Sequence, residues 1–552
     1  MSRFWFRNIF ILFFAFFHFI RGQFEPRYDP FDWIIFTKPG AITSISEGYS
    51  YIYFGTEMGG VLRYHIYANK MDFPLTMAQG LSSNRIQSVH FDFESGVLWV
   101  ATDKGLDYSH MREGGWTHLK KRDIGMDMNN PVKKVGSSQR YLWIQSNNSF
   151  LKLDQNSGNF LSVMSHPDDE KINWSASSSI EDIKLEHPID TYIMVEGWIY
   201  NSGILIDPSG RSKSISTFYS SRYGDVWMGI NDGTIFKGDY HMETFYPITY
   251  GLAETNVSAL NLSESGTWIA GNSNPSLGIT YLNPEQNYYH LYEYEVNINM
   301  PPQKIYSLLS LKDEIWFGGE LGILIYNTNR DYWRILDESK INLKGSITTM
   351  AWDSSFVWIG SNYGISRVNP VSKRAEIVGS VEGVSFESFF KNESIYDIEY
   401  IEKKIWIGTE YGLFIYDDMS ESIYDFRKFG NFSILGGEEN QFSEFWEIEK
   451  YKNVVYFATK QGIISYNTLT GYWNMLFRSH SIRQQRVTSM VFNDRYGFFG
   501  TNFSLLKFDF KHLFIDEYSY PIIGQINELS LEDDQLWIGS SQGLIRYLWK
   551  NE

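Results

Sequence analysis

The chain has 552 residues, of which 43% are hydrophobic and 20% are charged, a balance typical of folded proteins rather than disordered ones. Its formal net charge of -17 at pH 7 argues against a nucleic-acid surface, because such surfaces use Lys and Arg to neutralise phosphates. The sequence contains no cysteine, so disulfides are excluded and packing must supply the stability.

The first predicted element is a cleaved export signal over residues 1–22. Arg3 and Arg7 precede an apolar run of about twelve residues, and the small residue Gly22 ends the segment. The run is shorter than the roughly twenty residues that a membrane-spanning helix needs. Ile20 fits a cleavage site imperfectly, so an uncleaved anchor is the alternative. Because the sequence has no cysteine, we expect an exported protein of a bacterial cell envelope.

A short aromatic and β-branched run recurs along the rest of the chain at a mean spacing of about 44 residues. In one copy, Ile315–Gly319 is followed by Gly322–Tyr326, and Ile405–Thr409 with Gly412–Tyr416 repeats the same pattern. The copies begin at the aromatic anchors Tyr53, Trp99, Trp143, Trp227, Trp268, Trp316, Trp358, Trp406, Tyr456, Phe498 and Trp537. A degenerate copy over Tyr192–Val195 and Gly203–Ile206 fills the one double-length gap and makes twelve.

Each copy predicts the blade of a β-propeller. The anchor run suits a strand buried on both faces, and a Gly or Ala two residues later leaves room for close packing. A glycine six residues after the anchor suits a hairpin that needs a positive φ angle. These glycines are Gly59, Gly105, Gly233, Gly322, Gly364, Gly412, Gly462 and Gly543. Trp116, Trp333 and Trp473 mark outer strands. The predicted fold is all-β, with tandem β-propellers of four-stranded antiparallel blades and about 12 blades in total.

The two ends of the chain predict how the propellers close. Asp32–Thr37 has the pattern of an outer strand without a preceding blade, while the last blade lacks its own outer strand. In two propellers built one after the other, the N-terminal strand would close the first ring, and a strand near Tyr288–Tyr294 would close the second. We therefore expect domains over residues 23–285 and 286–552 with six blades each. Five plus seven blades, or one large ring, are the alternatives.

The pattern Trp-Ile-Gly-Thr-x-x-Gly-Leu at Trp406–Leu413, with the lead-ins Gly80–Val89 and Gly251–Leu260, resembles the two-component-regulator propeller repeat. The resemblance covers nearly the whole mature chain. It implies either the periplasmic sensor domain of a hybrid histidine kinase, which recognises carbohydrate, or an accessory protein of the type IX secretion machinery. Both imply an exported protein in the periplasm or on the outer surface of a Gram-negative bacterium. The sequence departs from the first type in lacking a kinase region and a later membrane span, and from the second in lacking an extra C-terminal domain. Neither function transfers intact.

Motifs that resemble catalytic or metal sites have simpler explanations. Gly539–Gly543 matches the Gly-x-Ser-x-Gly nucleophile pattern, but Gly360–Gly364 and Gly408–Gly412 occupy the same place in sister blades, so a hairpin explains it. His166, Asp168, Asp169 and Glu170 form an acidic loop that could hold a divalent cation, although a solvated loop is favoured. Neither a His-Glu-x-x-His motif nor a phosphate-binding glycine motif occurs. We expect no catalytic residue, metal or cofactor.

Aromatic residues outside the repeat are the candidates for ligand binding, since rings on a propeller face stack against sugars. They are Trp174, Trp198, Tyr219, Tyr223 and Trp446. The expected function is that of a noncatalytic binding or scaffold protein of the cell envelope, whose partner is an envelope protein or a glycan. A carbohydrate-sensing ectodomain that works with a membrane histidine kinase is the first alternative, and a polysaccharide lyase or hydrolase is the second. The sequence leaves the oligomeric state open.

Overall fold

A computed structural model describes residues 28–169, 171–176, 191–201, 204–222, 224–239, 241–263, 265–272, 278–283, 288–381, 384–431 and 441–551. The predicted export signal lies outside these ranges. Helices in the described ranges are single short turns, and none has the length and apolar character needed to cross a bilayer. They are Met77–Gln79, Lys121–Ile124, Tyr294–Ile298, Glu338–Ile341, Phe386–Phe389, Phe426–Lys428, Ser479–Ile482 and Trp549–Asn551.

The predicted blades are present as antiparallel four-stranded sheets, nine of them alone and two with one added strand. We number these blades 1 to 11 along the chain. Strand β1 is Trp33–Phe36. Blades 1 to 3 comprise β2 Ile42–Glu47, β3 Tyr51–Thr56, β4 Val61–His65 and β5 Lys70–Leu75; β6 Ile86–Phe91, β7 Leu98–Thr102, β8 Gly105–Ser109 and β9 Thr117–Lys120; and β10 Val132–Ser137, β11 Tyr141–Ser146, β12 Ser149–Asp154 and β13 Phe160–Met164. An irregular region follows with β14 Asn173–Trp174, β15 Ile193–Met194, β16 Ile199–Asn201, β17 Ile204–Ile206 and β18 Ser212–Lys213. Blade 4 comprises β19 Ile215–Ser220, β20 Val226–Ile230, β21 Ile235–Asp239 and β22 Thr244–Ile248.

The remaining seven blades follow without interruption of the pattern. Blades 5 to 7 comprise β23 Asn256–Ser263, β24 Gly266–Asn272, β25 Gly278–Asn283 and β26 Tyr288–Glu293; β27 Ile305–Leu311, β28 Glu314–Gly319, β29 Gly322–Asn327 and β30 Tyr332–Leu336; and β31 Ile347–Trp352, β32 Val357–Ser361, β33 Gly364–Asn369 and β34 Arg374–Glu376. A small hairpin of β35 Ser380–Val381 and β36 Val384–Ser385 precedes blade 8. Blades 8 to 11 comprise β37 Ile395–Ile401, β38 Lys404–Thr409, β39 Leu413–Asp417 and β40 Ser422–Asp425; β41 Phe445–Tyr451, β42 Val454–Thr459, β43 Gly462–Asn467 and β44 Trp473–Arg478; β45 Val487–Phe492, β46 Tyr496–Thr501, β47 Leu505–Asp509 and β48 Phe514–Tyr518; and β49 Ile526–Glu532, β50 Gln535–Ser540 and β51 Gly543–Leu548.

The residues that recur in each copy of the repeat explain how neighbouring blades pack. The anchor tryptophans, such as Trp316 and Trp358, are fully buried in the second strand of their blades. The glycine two residues later allows close approach, since a Cβ on Gly318 would lie 2.7 Å from Ile347 of the next blade. Six of the eight predicted hairpin glycines have a positive φ, whereas Gly59 and Gly105 do not. At Gly59 the neighbouring Gly60 adopts the positive φ of 76° instead.

The N-terminal strand supplies the outer strand that the last blade lacks. Strand β1 pairs antiparallel with β51, and Ile35 lies opposite Ile545. The ring of Trp33 stacks on that of Tyr547 at a centroid distance of 4.0 Å. The prediction that β1 closes the first ring is therefore wrong, because its partner belongs to blade 11. Residues Tyr288–Glu293 form the outer strand of blade 5 in ordinary chain order.

Contacts between inner strands divide the blades into two groups. In the second group, blades 5 to 11 touch in chain order, and β49 of blade 11 then touches β23 of blade 5. The Asn527 side-chain amide donates to the Val257 carbonyl at 2.8 Å across this junction. In the first group, β19 touches β2, and the Ser216 hydroxyl donates to the Ile42 carbonyl at 2.6 Å.

The degenerate copy predicted at Tyr192–Val195 and Gly203–Ile206 does not form a regular blade over its described residues, which exclude Gly203. Strand β15 leaves it and pairs in parallel with β22 of blade 4, while β16, β17 and β18 form a separate three-stranded sheet. Asn173–Ala176 instead joins blade 3 to blade 1, because the Ser175 N–H donates to the Val135 carbonyl and the Ala176 N–H to the Ile45 carbonyl.

These contacts favour the five-plus-seven alternative over six plus six, with the irregular region as the fifth member of the first group. A boundary at residue 286 would separate β26 from β25, although the two strands are paired from Gly278 to Asn283. We propose a first domain over residues 42–248 and a second over 256–548 completed by 33–36. The first domain is then inserted into the second.

One hydrophobic cluster spans both groups. It contains Ile45 and Trp227 from the first group and Val257, Trp537 and Leu544 from the second. The chain crosses between the groups twice at adjacent points, where the Leu252 N–H donates to the Thr37 carbonyl at 3.3 Å. The two groups therefore share part of their core.

Candidate binding surface at the end of the second group

The inner strands of neighbouring blades are bridged by the side chain of the second residue of the strand. The hydroxyls of Thr348 and Thr488 each donate at 2.7 Å to a carbonyl of the next inner strand, at Ile395 and Ile526. Ser258, the third residue of β23, makes the equivalent bond to the Ile305 carbonyl. These bonds satisfy carbonyl groups at sheet edges, which would otherwise be buried without a partner.

Three blades carry an aromatic residue at this bridging position, namely Tyr306, Tyr396 and Trp446. Their rings lie where the inner strands begin, at one end of the second group. The guanidinium carbon of Arg486 lies 5.3 Å from the ring centre of Tyr396 and 5.1 Å from that of Trp446. Tyr306 donates its hydroxyl to Glu320 at 3.1 Å and is 37% exposed. We call these four residues the aromatic mouth.

Below the mouth, alternate residues of three inner strands are acidic. These channel carboxylates are Asp397 and Glu399 of β37, Glu447 and Glu449 of β41, and Glu528 of β49. Asp397 accepts hydrogen bonds from the Ile448 N–H at 2.7 Å and from the Thr349 hydroxyl at 2.9 Å.

Desolvation raises the pKa of every channel carboxyl. The pKa of Asp397 rises to about 6, and the pKa values of Glu449 and Glu528 rise to about 8. Burial also raises the pKa values of Glu399 and Glu447 well above the usual range. For the four glutamates, repulsion by neighbouring carboxylates adds to the shift, and Asp397 raises the pKa of Glu528 although their strands belong to blades 8 and 11. Ionisation of one channel carboxyl therefore hinders ionisation of the others.

Exposed apolar side chains surround the mouth on the hairpins between the second and third strands. Tyr411 is 66% exposed and Phe503 is 73% exposed, and Leu321 and Tyr363 occupy the same position. We call these four residues the apolar tips. The first group has Lys104, Asn148 and Asp232 at the corresponding positions, with a half-buried Met58. The apolar tips are therefore a property of the second group.

The structure does not bring the predicted aromatic binding residues together. Trp446 lies in the aromatic mouth, whereas Trp174, Trp198 and Tyr219 lie in the first group. Trp198 packs edge-on against Phe236, and the Tyr219 hydroxyl donates to the buried Glu47 at 3.1 Å. The Trp174 ring is half-buried and close to Phe150. Tyr223 lies outside the described residues. Packing thus accounts for three of the four described rings.

The acidic loop at His166 has other partners for its carboxylates. Asp168 accepts from the Lys152 ammonium at 2.7 Å, and Asp169 accepts from the Trp143 indole N–H at 3.0 Å. Glu170 lies outside the described residues. Over the ranges that the structure describes, no three His, Asp or Glu side chains are grouped so that they could hold a metal ion.

Ser541, the serine of the Gly-x-Ser-x-Gly pattern, follows β50 in the hairpin that leads to β51, and its hydroxyl accepts a hydrogen bond from the Gln525 N–H at 3.0 Å. Its neighbour Ser540 ends β50. The Ser540 hydroxyl donates to the Gly543 carbonyl at 3.2 Å and accepts from the Gln542 N–H at 3.1 Å. The hydroxyl therefore stabilises the turn, as the hairpin interpretation predicts.

A second polar cluster lies inside the first group. The His90 ring is buried, and its Nε2 lies 2.9 Å from the Ser137 hydroxyl, which donates to Asp92 at 2.9 Å. Burial lowers the pKa of His90 to about 4, so the ring is neutral near pH 7. Because Ser137 directs its proton to Asp92, the histidine does not act as a base toward that hydroxyl.

Sequence analysis missed Tyr396, Arg486 and the channel carboxylates. A signal was present in the inner strands, where Tyr-Asp-Ile-Glu at Tyr396–Glu399 and Trp-Glu-Ile-Glu at Trp446–Glu449 place acids at alternate positions after an aromatic residue. Sister blades have Ser or Thr in the first two of these positions, as at Thr348 and Thr349. The replacement of Ser and Thr by aromatic and acidic residues in these strands could have indicated the candidate binding surface.

Comparison with known proteins adds evidence on the fold. No protein-family model matches the sequence, and a search of curated proteins finds no match. Among solved structures, the chain is similar to PorZ of Porphyromonas gingivalis, described as an essential bacterial surface component of the type-IX secretion system. The TM-score is 0.57 at 12% identity, over 94% of this chain and 87% of that one.

The chain also resembles the extracellular domain of the putative one component system BT4673 from B. thetaiotaomicron, with a TM-score of 0.41 and 13% identity over 92% of this chain and 70% of that one. At 12% identity, the similarity to PorZ concerns architecture alone. It agrees with the tandem propeller predicted from the repeat.

Proposed function

We propose that this protein is an exported, noncatalytic binding protein of the bacterial cell envelope, and that the aromatic mouth is its binding surface. The observation that carries this proposal is the replacement of bridging Ser and Thr by Tyr306, Tyr396 and Trp446 in three blades. Aromatic rings at these positions forgo a structural hydrogen bond, and their placement at a channel opening suits recognition of a ligand.

The partner that we propose is an envelope protein or a glycan, and the site of action is the periplasm or the outer surface. The predicted signal over residues 1–22 supports export, and a net charge of -17 disfavours nucleic acid. The architecture shared with PorZ is compatible with this assignment but does not by itself transfer that protein's role.

A binding screen with glycan arrays and envelope extracts tests the proposal. The purified mature chain is compared with Trp446→Ala and with Trp352→Ala, a control that removes a 43% exposed tryptophan from the opposite end of an inner strand. We expect Trp446→Ala to weaken binding of the retained ligand at least tenfold, and Trp352→Ala to leave it unchanged. Equal binding by both variants would place the ligand elsewhere.

The same screen separates the alternative functions. Binding of one glycan without turnover would favour the carbohydrate-sensing ectodomain, whereas capture of one envelope protein would favour the scaffold. Release of shortened or unsaturated sugars would show a polysaccharide hydrolase or lyase and would contradict the noncatalytic assignment.

A further inference from the structure

We propose that the end of the second group that carries the apolar tips docks a protein partner, which inserts a lysine or arginine side chain through the aromatic mouth toward the channel carboxylates. This inference rests on the proposed function and names the kind of partner that the binding surface takes.

The apolar tips favour a macromolecule over a free ion or small metabolite. Leu321, Tyr363, Tyr411 and Phe503 project from blades 6, 7, 8 and 10, so they surround the mouth over most of its circumference. Exposed apolar side chains arranged in this way are typical of protein interfaces, whose centres are enriched in aromatic residues. Such a ring would bury apolar surface against a partner wider than the channel.

The mouth itself favours a cation. Tyr396 and Trp446 already hold the guanidinium of Arg486, which shows that the rings are placed for cation–π contact. Arg486 is exposed, and it makes no ion pair with the residues that the structure describes. Glu320, Glu410 and Glu444 lie near the mouth, and Lys460 is paired with Glu444. Lys304 lies 3.8 Å from Glu320, so cations balance the acidic residues at the mouth, and the attraction for a further cation comes from the channel carboxylates below it.

Deeper in the second group, buried polar atoms without hydrogen-bond partners also favour a ligand that donates hydrogen bonds. The Ser307 hydroxyl and the Asn261 side-chain carbonyl lie on inner strands, are buried, and have no hydrogen-bond partner in the described structure. Together with the channel carboxylates they present acceptors to the axis. An ammonium or guanidinium group has only donors, so its chemistry is complementary to these acceptors.

Proton release would accompany the insertion. Asp397, Glu399, Glu447, Glu449 and Glu528 have raised pKa values, and the charged groups that act on them are other carboxylates of the same channel. Their other close neighbours, Thr349 and Ser489, are neutral hydroxyls. A cation stabilises the ionised forms, so the affinity for a lysine-bearing partner rises with pH.

Isothermal titration of the mature chain with three synthetic peptides tests this inference. The peptides are Gly-Trp-Lys-Trp-Gly and its counterparts with Gln or Glu in place of Lys. We expect the lysine peptide to bind at least tenfold more tightly than the glutamine peptide at pH 8, to release protons on binding, and to weaken at least fivefold at pH 6. The glutamate peptide should not bind.

Substitutions test separately whether the apolar tips and the channel carboxylates contribute to peptide binding. Tyr411→Ala combined with Phe503→Ala should weaken all peptides that bind, with Leu469→Ala as an exposed apolar control at the opposite end. Glu449→Gln should abolish the preference for lysine over glutamine, whereas the exposed Glu421→Gln should preserve it. Thermal denaturation of each variant verifies that it is folded.

The outcomes separate this inference from the proposed function. Equal affinity for the lysine and glutamine peptides, or a lysine preference that survives Glu449→Gln, would overturn the insertion of a cation. Even if the insertion of a cation is overturned, the proposed function stands if Trp446→Ala abolishes binding of a glycan or envelope protein. If Trp446→Ala affects no ligand at all, both fail.

Discussion

Glu528 retains its proton over a pH range in which an exposed glutamate is ionised. Burial raises its pKa from 4.5 to about 8, and the charge of Asp397 adds to the shift. The folded state therefore binds more protons than the unfolded state between these two values. Its contribution to stability is complete below pH 4.5 and is lost as the pH rises through about 8.

Glu528→Gln should consequently stabilise the protein at alkaline pH. The amide is neutral at every pH, so we expect it to gain about 1 to 3 kcal/mol over the wild type at pH 8.5 and little at pH 5.5. It also removes one charge that raises the pKa of Glu449. Thermal denaturation at both pH values measures the difference, with Glu421→Gln as the exposed control. A gain that is equal at the two pH values would contradict the prediction.

His90 has the opposite dependence on pH. Its pKa falls from 6.5 to about 4 because the ring is buried, so the unfolded state binds more protons between these values. Stability is therefore complete above pH 6.5 and decreases as the pH falls toward 4. His90→Gln keeps a donor for Ser137 and lacks the titrating ring. Relative to the wild type, it should gain about 3 kcal/mol between pH 7 and pH 4.

Chemical denaturation across that range tests the prediction for His90. The variant His480→Gln removes an exposed ring from a short helical turn and should follow the wild type at each pH. If His90→Gln and the wild type lose stability in parallel on acidification, protonation of His90 does not contribute.

At the scale of strands, closure of the second group depends on four residues near the N-terminus. Trp33 is fully buried and contacts Tyr547 and Tyr518, while Ile34 and Phe36 reach the cluster shared with the first group. Without β1, the edge of β51 would expose its backbone N–H and C=O groups to solvent or to another chain.

Trp33→Ala should therefore destabilise the protein by about 3 to 5 kcal/mol, the usual cost of removing a buried tryptophan. Hydrogen exchange measured by mass spectrometry should show the largest loss of protection in β49, β50 and β51, and a smaller one in β5 and the Met77–Gln79 turn of the first group, which β1 contacts. The control Trp352→Ala removes an exposed ring and should change neither. Uniform loss of protection over all blades would contradict a local effect.

The sequence predicted strands within blades better than connections between them. The second and third strands of each blade lie close along the chain and share the letters around Trp316, Trp358 or Trp406, so local pattern sufficed. Closure depends on Ile35 meeting Ile545, a pairing that no local pattern encodes. For the same reason the parallel pairing of Ile193 with Thr244 was not foreseen.

The candidate surface was predictable only in part. Trp446 was found because it stands outside the repeat, but Arg486 has no unusual neighbours in the sequence. It reaches Tyr396 and Trp446 because inner strands from three different blades begin at the same end of the second group. The influence of Asp397 on Glu528 also depends on how blades 8 and 11 are arranged about the axis, which no local sequence pattern encodes.

At the scale of the whole molecule, the insertion of the first group between β1 and β23 determines how the protein should unfold. The same hydrophobic cluster includes Ile45 and Trp227 on one side of the junction and Val257 and Trp537 on the other. Arg211 of the irregular region also pairs with Glu293 of blade 5, at 2.8 Å between Nη2 and Oε1. Neither group can lose its packing at the junction without exposing the other.

We therefore expect the two groups to unfold in one calorimetric transition rather than two. Trp227→Ala, which removes a buried ring in contact with Tyr64 and Phe54, should lower the midpoint of that single transition. Trp473→Ala, in a separate cluster of blade 9, should lower the same midpoint. If the two groups unfold together, the loss of about 3 to 5 kcal/mol in the free energy of unfolding at either site lowers the stability of both groups. Two resolved transitions, with each substitution shifting only one of them, would show instead that the shared cluster is too weak to couple the groups.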